Sequence, residues 1–377
     1  GQAGRPKPTP RSHREATVRV LVTGVGRYLG AHLAARLAAH PWVEQVTGFD
    51  SAAPPSPLRE MLDEHQVSVV TGEARDVAVA LARGGVDTVA HMGIISTPGP
   101  GGRAAMKEQN IIGTMQLLAA CQVTPGVHKV VVRSSTAAYG ASFRDPGVFT
   151  EATPPSLAPR GGFAKDVIEI EGYVRGFARR RPDVVTTVMR LAPMVGPQAD
   201  TTLTRYFSLP VVPTVLGRDP RLQFIHLDDA LELLVRAVVE NHRGTYNVAG
   251  EGVLVLSQAI RRAGRVAVPI IEPGLGALAA LVRTLRLGEF SHDQLDLLVH
   301  GRVVDTRALV EEFGVRPRST AEAFEDFVRG RGLHRPSFAA LRPDAVEAAE
   351  RTIIEGIRRL GERVGRPPRQ SRVEVNR

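Results

Sequence analysis

The chain predicts an α/β fold, a doubly wound parallel sheet with helices on both faces and a smaller C-terminal substrate lobe. Three observations lead there: a strand that breaks into a glycine turn and then a helix, β-branched runs alternating with helical stripes through the first two thirds, and the loss of that rhythm afterwards. Between Val18 and Leu37, the run Val18, Val20, Val22 reads as a strand, Gly24, Gly26 and Gly30 as a turn, and Leu29, Leu33 and Leu37 as one helix face. Glycines let the backbone approach a diphosphate, and the free N–H groups and dipole at the helix N-terminus favour an anion. The expected ligand is a dinucleotide on a Rossmann-type turn; the plainer alternative is a tight turn that binds nothing.

Val43 to Asp50 reads as the second strand and ends in an acid. A carboxylate at that place accepts hydrogen bonds from the adenosine ribose and repels a 2′-phosphate, favouring NAD over NADP; otherwise Asp50 is a strand-end turn residue. Val67 to Val70 is a third strand, Val77 to Arg83 a helix, and Val86 to His91 a fourth strand. A Gly- and Pro-rich loop from Gly93 to Gly102 precedes a helix from Ala104 to Cys121, and Val130 to Val132 is a fifth strand that opens into Arg133 to Gly140. After a loop from Asp145 to Gly162, Phe163, Val167, Ile170, Val174 and Phe177 mark a helix whose stripe means core or a dimer seam. Val184 to Leu191 is a sixth strand, residues 198 to 223 lose the rhythm, and Phe224 to Val238 restore it with Asp228 or Asp229 placed to cap a helix. Gly244 to Ala249 is the last strand, and residues 251 to 335 mix short helices and loops, including Ala277 to Leu287.

The expected domains are a disordered basic tail over 1–16, a dinucleotide-binding domain over 17–197 that also receives 222–250, and a substrate lobe from 198–221 and 251–335. Residues 336–377 hold an amphipathic helix, with Val346, Ile353, Ile357, Leu360 and Val364 on one side, and a second basic tail. Docking of that helix on its own domain is the expectation, over contact with a membrane surface or partner.

With 377 residues, 43% hydrophobic and 23% charged, the chain is expected to be globular. The net charge of +9 invites a nucleic-acid reading, but the arginines are scattered, lie in the tails, or stand at a helix end before a proline, as Arg179 to Arg181 do. No nucleic-acid partner is expected; an anionic small molecule remains compatible with the charge. The single cysteine, Cys121, permits no internal disulfide and suits the cytoplasm. No run approaches the ~20 apolar residues of a spanning helix, and the histidines lack paired metal-ligand spacing, so neither a transmembrane segment nor a metal site is expected.

Further motifs follow in order: His91-Met92-Gly93, Asn110-Ile111-Ile112-Gly113-Thr114, Ser134 to Gly140, Lys165, Arg190 to Pro197, Phe224 to Asp229 and Tyr246 to Gly250. With Thr23, Gly24, Gly30 and Asp50 they make the chain resemble the extended short-chain dehydrogenase/reductase superfamily, in its NAD-dependent epimerase/dehydratase branch, from about Val18 to Gly332. The resemblance implies hydride transfer between a nicotinamide and a small-molecule substrate, a nucleotide sugar or related polar alcohol, usually in a homodimer. It implies cofactor contacts from Thr23, Gly24, Gly26, Arg27, Tyr28, Leu29, Gly30, Asp50, Asp76, His91, Met92, Gly93, Asn110 and Lys165, with NAD expected over NADP. It implies Ser135, with Thr136 as fallback, as the residue orienting the substrate oxygen, and Lys165 as a catalytic residue.

The family's acid/base is the tyrosine of a Tyr-x-x-x-Lys unit, and the residue four places before Lys165 is Gly161. Glycine has no ionisable group, so that proton transfer does not carry over. Tyr173 is eight residues beyond Lys165, about 12 Å along a helix, and Tyr139 lies in a loop where a tyrosine more often packs than reacts. Without the tyrosine, Lys165 keeps the ribose contact; otherwise it is an exposed helix-start lysine paired with Glu169. His91 is expected as a satisfied strand-end histidine and Cys121 as a buried helix residue. Thr136-Ala137 replaces the Asp-Glu pair of sugar-nucleotide 4,6-dehydratases. Arg27 occupies the slot of the family's middle glycine and is expected to swing outward, lending its charge to the diphosphate. Two functional readings follow, an NAD-dependent epimerase or oxidoreductase and a catalytically silent dinucleotide-binding sensor or scaffold.

Overall fold

The computed structural model describes residues 17–97, 101–154, 162–270 and 292–333. The amino-terminal tail, Gly161, Ala277 to Leu287 and the amphipathic helix expected within 336–377 lie outside these described residues.

The chain starts β1 (Val18–Thr23), α1 (Tyr28–Ala38), β2 (Val43–Asp50), α2 (Ser56–Glu64), β3 (Ser68–Thr71), α3 (Val77–Gly84) and β4 (Thr88–His91). It continues α4 (Gly102–Val123), β5 (Lys129–Ser135), α5 (Gly162–Arg180), β6 (Val185–Leu191), β7 (Met194–Val195), α6 (Thr202–Ser208), β8 (Val211–Val215) and β9 (Arg221–Leu222). Then come β10 (Ile225–His226), α7 (Leu227–Val239), β11 (Gly244–Val248), β12 (Leu254–Val255), α8 (Leu256–Arg262), β13 (Val266–Ile270), and helices His292–His300, Arg307–Phe313 and Thr320–Gly330. Seven strands form one parallel sheet in the order β11-β6-β5-β4-β1-β2-β3. The winding direction reverses between β1 and β4, which leaves a crevice at the carboxyl ends of those strands, where doubly wound sheets bind ligands.

Strands buried on both faces need apolar residues at consecutive positions, as Val130, Val131 and Val132 supply in β5. One core lies under α1, α2 and α7 with Leu33, Leu37, Leu62 and Leu234, and a second lies under α3, α4 and α5 with Leu81, Leu117 and Ile170. The α5 stripe Phe163, Val167, Ile170, Val174 and Phe177 belongs wholly to that second core. A third apolar cluster stands apart around Phe207, Phe224, Phe324 and Phe327, whose rings pack edge-on and stacked.

Several local expectations are corrected. The α2 helix falls in a stretch with no legible stripe because Leu62 alone among its residues is buried, although Ser56-Pro57 marks its start. The rhythmless stretch 198 to 223 contains α6, started by a Thr201–Thr204 capping box. At α7 the cap is His226, whose Nδ1 accepts the Asp228 N–H at 3.1 Å, while Asp228 pairs with Arg36 and Asp229 accepts the Arg318 N–H. Arg181 serves a neighbouring helix, donating to the Cys121 carbonyl in the last turn of α4 (2.9 Å) and to Val127 O (3.1 Å). Cys121 is buried, as expected.

Candidate functional site

The glycine turn is a close-packed joint. Gly24 has φ +80°, and a methyl group on it would lie 2.7 Å from the Gly93 backbone at the end of β4; one on Gly30 would lie 2.3 Å from Gly24 O. Those two glycines bring helix and strands together, the packing that a dinucleotide turn requires. Asp50 accepts the Gly26 N–H at 2.8 Å and the Ser51 N–H at 2.7 Å, so the acid at the end of β2 pins the turn from below. The first turn of α1 has no side-chain cap, and Arg27, exposed at its N-cap position, lines the adjoining cleft with Tyr28 and Leu29. Uncapped N–H groups and a mobile-length cation at one cleft rim fit a diphosphate.

His91 sits beneath that joint in a hydrogen-bonded chain. Thr114 donates its hydroxyl proton to Asn110 O (2.6 Å), so its oxygen accepts from His91 Nε2 (2.9 Å), and His91 Nδ1 accepts from the Thr23 hydroxyl (2.7 Å). Thr23 Oγ1 in turn accepts the Gly93 N–H at 3.3 Å. The chain requires neutral imidazole, and burial, helped by the Arg133 charge, lowers the His91 pKa from 6.5 to about 4. A folded-state pKa below the unfolded one means full stability above pH 6.5 and loss as pH falls toward 4, totalling about 3 kcal/mol. Urea midpoints at neutral and at acid pH, compared between wild type and His91→Gln, check this: the variant's loss across that window is expected to be smaller.

Asn110 clasps the loop after β4, accepting the Ile95 N–H (2.7 Å) and donating to Ile95 O (2.9 Å). That holds Ile94, Ile95, Ser96 and Thr97 along a cleft of about 360 Å³ above the sheet switch point. The opposite wall comes from Leu191 to Met194, α6 and the helix His292–His300. Among the described lining residues the charged ones are Arg27, Arg133, Arg205, Arg302, Asp200 and Asp293. Arg205 pairs with Asp200 at 2.5 Å.

Ser135 lines the cleft, and its Oγ accepts the Ala137 N–H at 3.1 Å, which leaves its hydroxyl proton for a ligand oxygen. Thr136 is buried and Asp76 closes a short turn by accepting the Glu73 N–H (2.8 Å); neither lines the cleft. Met92 is buried under the strand end. Lys165 is exposed and does not line the cleft, because it falls two residues after inward-facing Phe163, on the opposite side of α5. Its exposure matches the plainer reading of a helix-start lysine, but the Glu169 pairing of that reading is not formed: Glu169 accepts from the Tyr173 hydroxyl at 3.1 Å. The inward position next to it is Asp166, fully buried and held bidentately by Arg103 (2.5 and 2.6 Å) and by Asn110 Nδ2 (3.1 Å).

Of the five tyrosines, only Tyr28 lines the cleft. Tyr139 packs on Phe149, donates to Asn247 Oδ1 (2.7 Å) and accepts from Arg190 (2.7 Å), and burial raises its pKa. Tyr206 and Tyr246 donate to Pro213 O and Arg243 O. The acid that sequence reasoning missed is Asp293. Its carboxylate lies over Gly162 at the start of α5, 2.5 Å from where a Cβ on that glycine would stand, and Oδ2 accepts the Ala164 N–H at 3.1 Å. Burial raises its pKa, opposed by those backbone N–H groups and by Arg302 and Arg103. No local motif announces a residue that reaches α5 from 129 positions away.

Residues 20–249 match the model of the NAD dependent epimerase/dehydratase family. The Mycobacterium tuberculosis protein Rv0501, itself uncharacterized, is 46% identical over 318 residues, covering 83% of this chain and 84% of its own. A Bacillus anthracis dTDP-glucose 4,6-dehydratase in complex with NAD superimposes with TM-score 0.65 at 16% identity, over 86% of this chain and 100% of that one. A Methanobrevibacter ruminantium UDP-N-acetylglucosamine 4-epimerase, bound to UDP-N-acetylmuramic acid, gives 0.64 at 18%, over 83% and 98%. At such identities the superpositions establish the fold.

Proposed function

The chain belongs to the NAD-dependent epimerase/dehydratase family, and from that premise we propose that it holds NAD on the Gly24–Gly30 turn and performs hydride transfer on a nucleotide sugar, with Asp293 in place of the family tyrosine. The observation that carries the reading is the Asp293 carboxyl in the cleft, filling the side-chain space above Gly162, the residue that follows the vacant tyrosine position in the sequence. NAD, when bound, supplies the hydride acceptor. Ser135 donates its free proton to the substrate oxygen and orients it. Asp293 takes the substrate hydroxyl proton on a carboxylate whose affinity for protons burial has raised. Asp50 beneath the turn supports NAD over NADP, since a 2′-phosphate would meet a second negative charge. The nucleotide-sugar neighbours and the arginines of the cleft support an anionic substrate. Ile112 and Met115, exposed on α4, support pairing of two copies.

The test is titration of the protein with NADH and NADPH, read by nicotinamide fluorescence, followed by incubation of the NAD-loaded protein with a panel of UDP- and dTDP-sugars. NADH is expected to bind more tightly than NADPH, with conversion or nicotinamide reduction on at least one sugar. Arg27→Ala is expected to weaken NADH about five- to tenfold, roughly 1 kcal/mol, with a shallower salt dependence; Arg27→Gly binding more tightly than wild type would mark the arginine as an obstruction. A second reading, a silent dinucleotide-binding protein, rests on the placement of Lys165 outside the cleft. NADH binding with no turnover on any sugar selects it.

A further inference from the structure

We propose that Arg302, assisted by Arg133, forms a subsite at the reacting end of the cleft for a carboxylate borne by the sugar of the ligand. This rests on the nucleotide-sugar reading above and adds the class of sugar. Arg302 is fixed at its base, its N–H donating to Arg221 O (3.0 Å) and its Nε to Gly140 O (2.6 Å). Gly140 closes the short turn that Ser135 opens, so the guanidinium is tied to the residue that addresses the substrate oxygen. The residue is 8% exposed and lines the cleft, yet its Nη2 is buried without a hydrogen-bond partner. Asp293, Asp145 and Asp296 act on the guanidinium through their charge, and none of them hydrogen-bonds Nη2.

A buried donor on a charged group left without an acceptor carries the full cost of its desolvation, and a ligand oxygen removes that cost. Burial brings Arg302 and Arg133 down to about 10, so both remain cationic at neutral pH. Arg133 stands on β5 two residues before Ser135, donates to the Ile94 carbonyl and lines the same cleft. The charges of the described lining set the kind of anion. Arg205 is neutralised by Asp200 and Arg27 is assigned to the cofactor diphosphate, leaving Arg133 and Arg302 against Asp293, with Asp145 and Asp296 acting on Arg302 from beyond the lining. With three carboxylates already acting on Arg302, a singly charged carboxylate oxygen is the anion the open Nη2 can take, where a phosphate dianion would add excess negative charge.

Calorimetric titration of NAD-loaded protein with UDP-glucuronate and with UDP-glucose decides the matter, since the two differ in a single carboxylate. UDP-glucuronate is expected to bind at least tenfold more tightly. In Arg302→Met the preference is expected to fall to within twofold, with NADH affinity unchanged, and Arg302→Lys is expected to restore part of it. Equal affinity for the two sugars in wild type overturns the subsite without any variant. So does a preference that survives in Arg302→Met, or a parallel loss of both sugars there, which would place Arg302 on the nucleotide diphosphate. Binding of UDP-glucose without preference leaves the nucleotide-sugar reading standing; NADH binding with neither of these sugars nor any UDP- or dTDP-sugar of the panel bound overturns both.

Discussion

Replacing Glu171 with alanine is expected to lower the unfolding free energy by about 3–5 kcal/mol, the range for stripping one partner from a buried ion pair. Glu171 and Arg190 are 5% and 11% exposed, and the guanidinium meets both carboxylate oxygens, at 2.9 and 2.6 Å. The same carboxylate accepts the buried Ser134 hydroxyl at 2.6 Å, and Arg190 continues to the Tyr139 hydroxyl. Removing the acid therefore leaves a buried cation without its counter-charge and a buried hydroxyl without its acceptor. Arg175, 3.6 Å from Glu171 on the helix surface, brings a further positive charge and no compensation. Glu171→Gln keeps the shape and part of the hydrogen bonding, so its loss is expected to be smaller; Glu171→Leu with Arg190→Met removes both charges and is expected to recover much of the deficit. Urea-denaturation midpoints across this cycle provide the measurement. A Glu171→Ala midpoint near that of wild type would mean that water reaches Arg190 and that the network does not brace the β5 exit.

That network shows where sequence reading reaches its limit. The strand, glycine turn and helix at Val18 to Leu37 are local, each fixed by residues within one turn or pleat of one another, and their limits emerge almost unchanged. The motifs near Arg190 and Asn247 are legible as text, but their work is non-local: they meet at Tyr139, 51 and 108 residues away, and hold the turn that bears Ser135. The lysine of the family motif could be counted but not oriented. A one-residue difference on a helix turns a side chain by about 100°, and here it exposes Lys165 and buries Asp166. Arg302 and Asp293 enter the cleft from a lobe whose own core is built by distant aromatics, so no spacing along the chain points to them.

Asp293→Asn is expected to reduce turnover roughly a hundred- to ten-thousandfold, the usual worth of a positioned acid/base, while leaving NADH affinity within about twofold. The substitution is chosen because the amide oxygen still accepts the Ala164 N–H that the carboxylate holds at 3.1 Å, so the start of α5 keeps its partner while the titrating group is gone. Asp293→Ala removes both, and its additional loss of thermal stability measures the structural share. In wild type the base must be ionised, so the rate falls as pH drops through the Asp293 pKa, at a higher pH than for an exposed carboxylate because burial has raised it. Arg302→Met withdraws a cation that opposes that rise and is expected to move the same limb further upward. In Asp293→Asn the limb is expected to vanish, leaving a low rate independent of pH over that window. A wild-type rate in Asp293→Asn, or an unchanged acid limb, would assign the proton to another group, whatever the position of Asp293 above Gly162.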